Sequence, residues 1–146
     1  MSLLDKRFTF EKIQTFNDGQ WVFEEGDHNR DLFIIQEGSV EIIKKTPQGE
    51  MKLATFEKGD FFGDMALLQG GPRFAGARSK GNTRMLILQP GGFLLKIRRD
   101  PTFAFEMLQQ LSLRIKVSNE RVLGLIHKGG ISHEMAQEVL NSIEGK

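Results

Sequence analysis

Between Gln20 and Leu88 the chain is a series of short apolar and β-branched runs set off by glycine, and that spacing restricts this stretch to an antiparallel β sandwich or barrel. The runs are Trp21-Val22-Phe23, Leu32-Phe33-Ile34-Ile35, Val40-Glu41-Ile42-Ile43, Met51-Lys52-Leu53-Ala54-Thr55-Phe56 and Met85-Leu86-Ile87-Leu88. Val40 and Ile42 alternate with Glu41, as a strand with one face inward requires. Pro47-Gln48-Gly49-Glu50 reads as the turn between two runs, and Gly26, Gly38 and Gly59 stand where the chain reverses.

After Pro101 the pattern switches from period two to helical spacing. Thr102 to Ile126 holds no proline and no glycine before Gly124, and Phe105, Leu108, Leu111, Ile115, Val122 and Leu125 recur three, four or seven apart. One long amphipathic helix is predicted, its stripe interrupted by Ser118. A seam this close to a heptad suggests a homodimer through the helix, the other reading being that it packs on the sandwich. Gly129-Gly130 breaks the chain, and Ser132 caps a short final helix carrying Met135, Val139 and Leu140. The expected division is a β domain over 1–100, the long helix over 101–127 and a helical extension over 128–146.

The 146 residues fit one domain with a helical appendage, and the net charge of +1 gives no field that would gather nucleic acid or acidic membrane. Anion recognition must be local. The absence of cysteine removes disulfides, thiolate metal sites and cysteine nucleophiles, and is compatible with the cytoplasm. No apolar run reaches a membrane span, and Met1-Ser2-Leu3-Leu4-Asp5-Lys6-Arg7 lacks a signal-peptide core, so a soluble, intracellular chain is expected.

Within the β region, Gly63 to Ala75 sets a short apolar helical turn beside a single arginine among small residues. An arginine fork and free backbone N–H groups suit one phosphate, and the Asp64 carboxylate can accept from a sugar hydroxyl. A small nucleotide fits that pairing better than a bare anion.

An ordered series of segments, 19–27, 32–41, 58–68 and Pro72-Arg73-Phe74-Ala75, resembles the cyclic nucleotide-binding domain of the catabolite activator, kinase regulatory subunit and gated-channel family, from about Phe16 to Leu125. The resemblance implies a double-stranded β-helix, or jelly roll, of eight strands, mainly β with flanking helices. It implies a ligand site in which Arg73 pairs with the phosphate, the N–H groups of Phe74 and Ala75 help hold it, and Gly63 and Asp64 meet the ribose 2′-hydroxyl. Met65 and Ala66 belong to the same cassette, and Ser118 and Asn119 stand where the activators' long helix touches adenine. Cyclic AMP is the ligand implied; Phe74, where guanine-preferring members carry a hydroxyl residue, disfavours cyclic GMP. No cofactor, metal or catalytic residue is implied.

Two positions depart from the family. Asp64 replaces the usual glutamate, withdrawing the carboxylate by about 1.5 Å, and Gly76 stands where threonine or serine is common. Asp64→Glu is therefore expected to tighten binding, and Arg73→Ala to abolish phosphate recognition while leaving the fold intact. A domain that has lost its ligand and serves as a dimerisation or protein-docking scaffold is the alternative reading. A metal-dependent jelly-roll enzyme is disfavoured because only His28, His127 and His133 exist, and serine hydrolysis because no Gly-x-Ser-x-Gly elbow occurs. The segment after the long helix resembles only the first helix of a helix-turn-helix, so direct DNA binding by this chain is not expected.

Overall fold

The computed structural model describes residues 11–130 and 132–143, so the signal-peptide reading of Met1–Arg7 lies outside the described residues. The chain divides into two compact units, one ending at Lys96 and one beginning at Ile97.

The first unit contains β1 (Glu11–Phe16), β2 (Trp21–Phe23), β3 (Leu32–Thr46), β4 (Gly49–Glu57), β5 (Phe61–Phe62), helix α1 (Asp64–Gln69) and β6 (Gly76–Leu88). All pairings are antiparallel, in the order β1-β6-β3-β4, with β2 on β6 and β5 on β3. The six strands resolve into the expected eight segments because β3 and β6 each bend. Their mutual register shifts on either side of Glu37, so the first half of β3 pairs with the last half of β6 and the reverse. One half-sheet is then β1, late β6, early β3 and β5, and the other is β2, early β6, late β3 and β4. This is the jelly roll.

Gly38 makes the bend possible. Its φ is +91°, and a Cβ there would meet Asn82 O and Thr83 Oγ1 at 2.5 Å. Thr83 closes the corner, donating to Ser39 O at 2.9 Å. Between the half-sheets lie Phe16, Phe23, Phe33, Ile35, Val40, Phe62, Ala77, Met85 and Ile87, with the Phe33 and Phe62 rings stacked at 5.1 Å. The aromatic end of this core supports the cassette.

Two elements escape the sequence pattern. β1 alternates only weakly, since Phe16 is its one buried side chain and Ile13 is 62% exposed. Helix α2 (Pro90–Arg99) begins Pro-Gly-Gly, a poor helical sequence in its first turn, and Phe93 then packs inward.

In the second unit α3 (Pro101–His127) is the predicted long helix, with Pro101 in its first turn and the Asp100 side chain accepting from Phe103 N–H at 3.2 Å. Gly129, at φ +71°, turns the chain after it, and Gly130 N–H reaches back to Leu125 O at 2.9 Å. Ser132 Oγ caps α4 (His133–Ile143) by accepting from Met135 N–H at 3.1 Å. Ala136 of α4 and Val122 of α3 are buried, whereas Phe105, Leu108, Ile115 and Leu125 are exposed. No helix among the described residues is long and apolar enough to cross a membrane.

Candidate functional site

Arg73 is an arginine in a place where arginines are rare: 4% exposed, its guanidinium carbon 4.0 Å from the centre of the Phe23 ring and 5.8 Å from that of Phe33. Burial pushes its pKa down, opposed by the carboxylates of Asp31, Asp27 and Asp64. A buried cation needs acceptors, and three are supplied. Nη1 donates to Gly63 O at 2.9 Å, while Nη2 donates to Asn29 Oδ1 at 2.8 Å and Asp31 O at 2.7 Å. Nε is buried with no partner among the described residues.

The backbone on either side is tied as firmly. Arg73 N–H donates to Asp27 O at 2.7 Å, and Gly26 N–H to Arg73 O at 2.8 Å. The β2–β3 loop is therefore one wall of the cassette, a role that sequence reading did not give it. The polar run Asp27-His28-Asn29-Arg30-Asp31 was the available signal. Arg30 completes the wall: Nε donates to Ala66 O at 3.1 Å and Nη2 to Leu67 O at 2.8 Å, supplying donors to late carbonyls of α1.

Gly63 has φ +85°, and a Cβ on it would stand 2.8 Å from Asp31 O and 3.0 Å from Arg73 Nη1. It must be glycine for the arginine to pass. Asp64 opens α1, Met65 is 55% exposed and Ala66 is buried beneath it. Phe74 projects outward, 57% exposed, with Lys44 Nζ 4.1 Å from its ring centre and donating to its carbonyl at 2.8 Å. Ala75 is 6% exposed, and its N–H meets no acceptor among the described residues.

The structure thus brings Gly63, Asp64, Arg73, Phe74 and Ala75 into one neighbourhood with Asn29, Asp31 and Lys44, which were missed. Ser118 and Asn119 lie on α3 in the other unit, both half-buried, and Asn119 Oδ1 has no partner among the described residues. Gly76 has its own explanation. A Cβ there would come within 2.7 Å of Trp21 Cζ3, so the indole fills the space that a hydroxyl residue would take. Trp21 is in turn covered by Arg78, 5.0 Å from its ring, which pairs with Glu50 at 3.2 Å. Among the described residues no group of three or more His, Asp or Glu is placed to hold a metal.

Residues 13–100 match the cyclic nucleotide-binding domain family. A cyclic AMP receptor protein of Thermus thermophilus is 29% identical over 114 residues, covering 77% of this chain and 53% of that protein. A cAMP-dependent protein kinase regulatory subunit of Mycosarcoma maydis is 33% identical over 72 residues, covering 49% of this chain and 14% of that protein. The chain therefore spans about half the length of the first relative and a small part of the second. The crystal structure of the Thermus thermophilus catabolite activator protein superposes with a TM-score of 0.69 at 23% identity, covering 97% of this chain and 82% of that one, a likeness of fold.

Proposed function

Because the chain belongs to the cyclic nucleotide-binding domain family, we propose that it is a sensor domain for cyclic AMP, with the cassette from Gly63 to Ala75 as its phosphate and ribose site. One observation carries the reading. Two buried residues, Arg73 and Ala75, each carry a donor without an acceptor among the described residues, Nε–H and N–H, and a folded protein leaves few such groups unless something else accepts from them. A phosphodiester oxygen is such an acceptor.

In this proposal Arg73 neutralises the phosphate, Ala75 and Phe74 add backbone donors, and the Asp64 carboxylate takes the ribose hydroxyl. Met65 and Ala66 shape the turn that presents it. Ser118 and Asn119 meet the adenine, and Phe74 disfavours cyclic GMP. A ligand that engages both the cassette and α3 favours the helix position in which both contacts are made, so the output is a population shift in α3. The exposed stripe of α3 supports a homodimer formed through it.

A specific observation also favours the scaffold reading. The two Nη atoms of Arg73 already have protein acceptors, so the arginine does not require an anion to be tolerated. Calorimetric titration with cyclic AMP and cyclic GMP separates the two. Heat with cyclic AMP at micromolar affinity, weaker with cyclic GMP, is the expected result; no heat and no thermal shift with either at millimolar concentration leaves the scaffold. Hydrogen exchange of α3 amides, slower with ligand, tests the helix output.

A further inference from the structure

Lys44, on the second half of β3, makes three contacts, two of them to Phe74. Its Nζ donates to Phe74 O at 2.8 Å, sits 4.1 Å from the centre of the Phe74 ring, and pairs with Glu25 Oε2 at 3.1 Å. Glu25 is itself held by the main chain, its Oε1 accepting from Lys45 N–H at 3.1 Å. Both side chains are about 30% exposed or less, so neither hangs free in water. The Phe74–Ala75 peptide is trans, so the Phe74 carbonyl and the Ala75 N–H point to opposite sides of the chain. A cation gripping the carbonyl therefore fixes where the N–H points.

That N–H is the one left without an acceptor in a residue 6% exposed. If the peptide were free to rotate, its carbonyl could turn toward the site and replace a donor with an acceptor that repels an anion. We propose that Lys44, braced by Glu25, is a positioning residue that locks this peptide with its N–H presented to a phosphate oxygen. The inference rests on the cyclic nucleotide reading above. Lys44 does not touch the ligand in it; it acts through the Phe74 carbonyl, as a second support acts on a preorganised donor.

A rival account is that Lys44 attracts the anion by charge alone, and Glu25 separates the two. Under a pure field, removing the Glu25 charge strengthens binding; under positioning, it frees Lys44 and weakens binding. Cyclic AMP is titrated into the wild type, Lys44→Met, Lys44→Arg and Glu25→Gln, with the Ala75 amide resonance followed in each. Methionine keeps most of the packing on Phe74 and loses the donor; arginine keeps a donor. Expected are about a tenfold loss of affinity in K44M, recovery to within about threefold in K44R, and weaker binding in E25Q. The Ala75 amide proton moves downfield on binding in the wild type and K44R and fails to do so in K44M. Wild-type affinity in K44M, a downfield move of the Ala75 amide on binding in K44M as large as the wild type's, failure of K44R to recover, or tighter binding in E25Q each overturns the positioning role. A wild type that binds neither cyclic nucleotide overturns the cyclic nucleotide reading itself, and this inference with it.

Discussion

In the first unit the segment Arg73–Gly76 is almost fully engaged before any ligand arrives: the Nη groups of Arg73, the Phe74 carbonyl and the space above Gly76 are all occupied by protein groups. In the second unit α3 leaves Phe105, Leu108, Ile115 and Leu125 in solvent. The cassette has thus met much of its ordering cost during folding, so a ligand in the proposed site need order little of it. The long helix leaves apolar side chains in water, so the proposed homodimer is where it would gain. The proposed function thus assigns recognition by geometry and response by burial to different units.

The sharpest break in that contrast is Arg73→Ala. Affinity for cyclic AMP is expected to fall by about 100-fold or more, as loss of a charge-assisted fork implies. The fold is expected to stay intact at lower stability, because the Gly63 and Asp31 carbonyls lose their donor and the Phe23 ring its cation. Unfolding free energy in urea is expected to drop by about 1–3 kcal/mol, with the native fold retained. Lost binding at unchanged stability would show that the cassette is not prebuilt by this arginine. On the other unit, Leu108→Glu places a charge in the exposed stripe, and light scattering is expected to report a dimer for the wild type and a monomer for the variant. A wild type already monomeric would remove the association half of the comparison.

The antiparallel β region and the long helix were legible because period-two runs and a 3.6 stripe are local signals, the jelly roll came through the family resemblance, and the candidate cassette was legible because glycine, carboxylate and arginine fall close together in sequence. What was hidden came from elsewhere in the chain. Asn29 lies 44 residues from its partner Arg73, and Lys44 lies 30 from Phe74. Neither sits in an apolar pattern, and a polar residue in a loop looks the same whether it faces water or a buried guanidinium. Gly76 shows the limit most clearly. Alone it reads as a hydroxyl lost from a binding site; beside Trp21 it reads as a glycine required by an indole.

Gly76→Ser tests that pairing at the next level of effect. A Cβ 2.7 Å from Trp21 Cζ3 forces the ring to move, and thermal or urea unfolding should show a loss of about 1–2 kcal/mol. Combining it with Trp21→Leu should recover part of that loss relative to the two single changes, as expected for neighbours that share a space. A neutral Gly76→Ser would mean that the indole yields freely. Smaller still is Asn29→Ala. Asn29 and Asp31 together take both hydrogens of Arg73 Nη2, so an anion approaching along the Nε–Nη2 edge must displace one of them, and the exposed side chain is the easier to displace. Asn29→Ala should tighten cyclic AMP by about threefold and Asn29→Asp should weaken it, whereas weaker binding in both would make Asn29 a support of the fork.

The smallest expected effect is one of pH. The Lys45 N–H and then the Lys44 ammonium hold the Glu25 carboxyl below its ordinary value of 4.5. A carboxyl depressed in the folded state binds its proton less readily there than in the unfolded chain. Its contribution to stability is therefore fully present above the unfolded value and is lost as pH falls through the lower folded one. Glu25 lies at the surface with about a quarter of its side chain in contact with water, which screens the pair with Lys44 and keeps the effect slight. The difference in thermal midpoint between wild type and Glu25→Gln isolates it, since the other carboxylates titrate alike in both. That difference should be constant from pH 7 down to about 5 and shrink below it. A difference that persists unchanged at pH 3 would mean that the shape of Glu25 braces Lys44 and its charge does not, and the cassette would then be prebuilt by packing on this side as the helix is left unfinished by it.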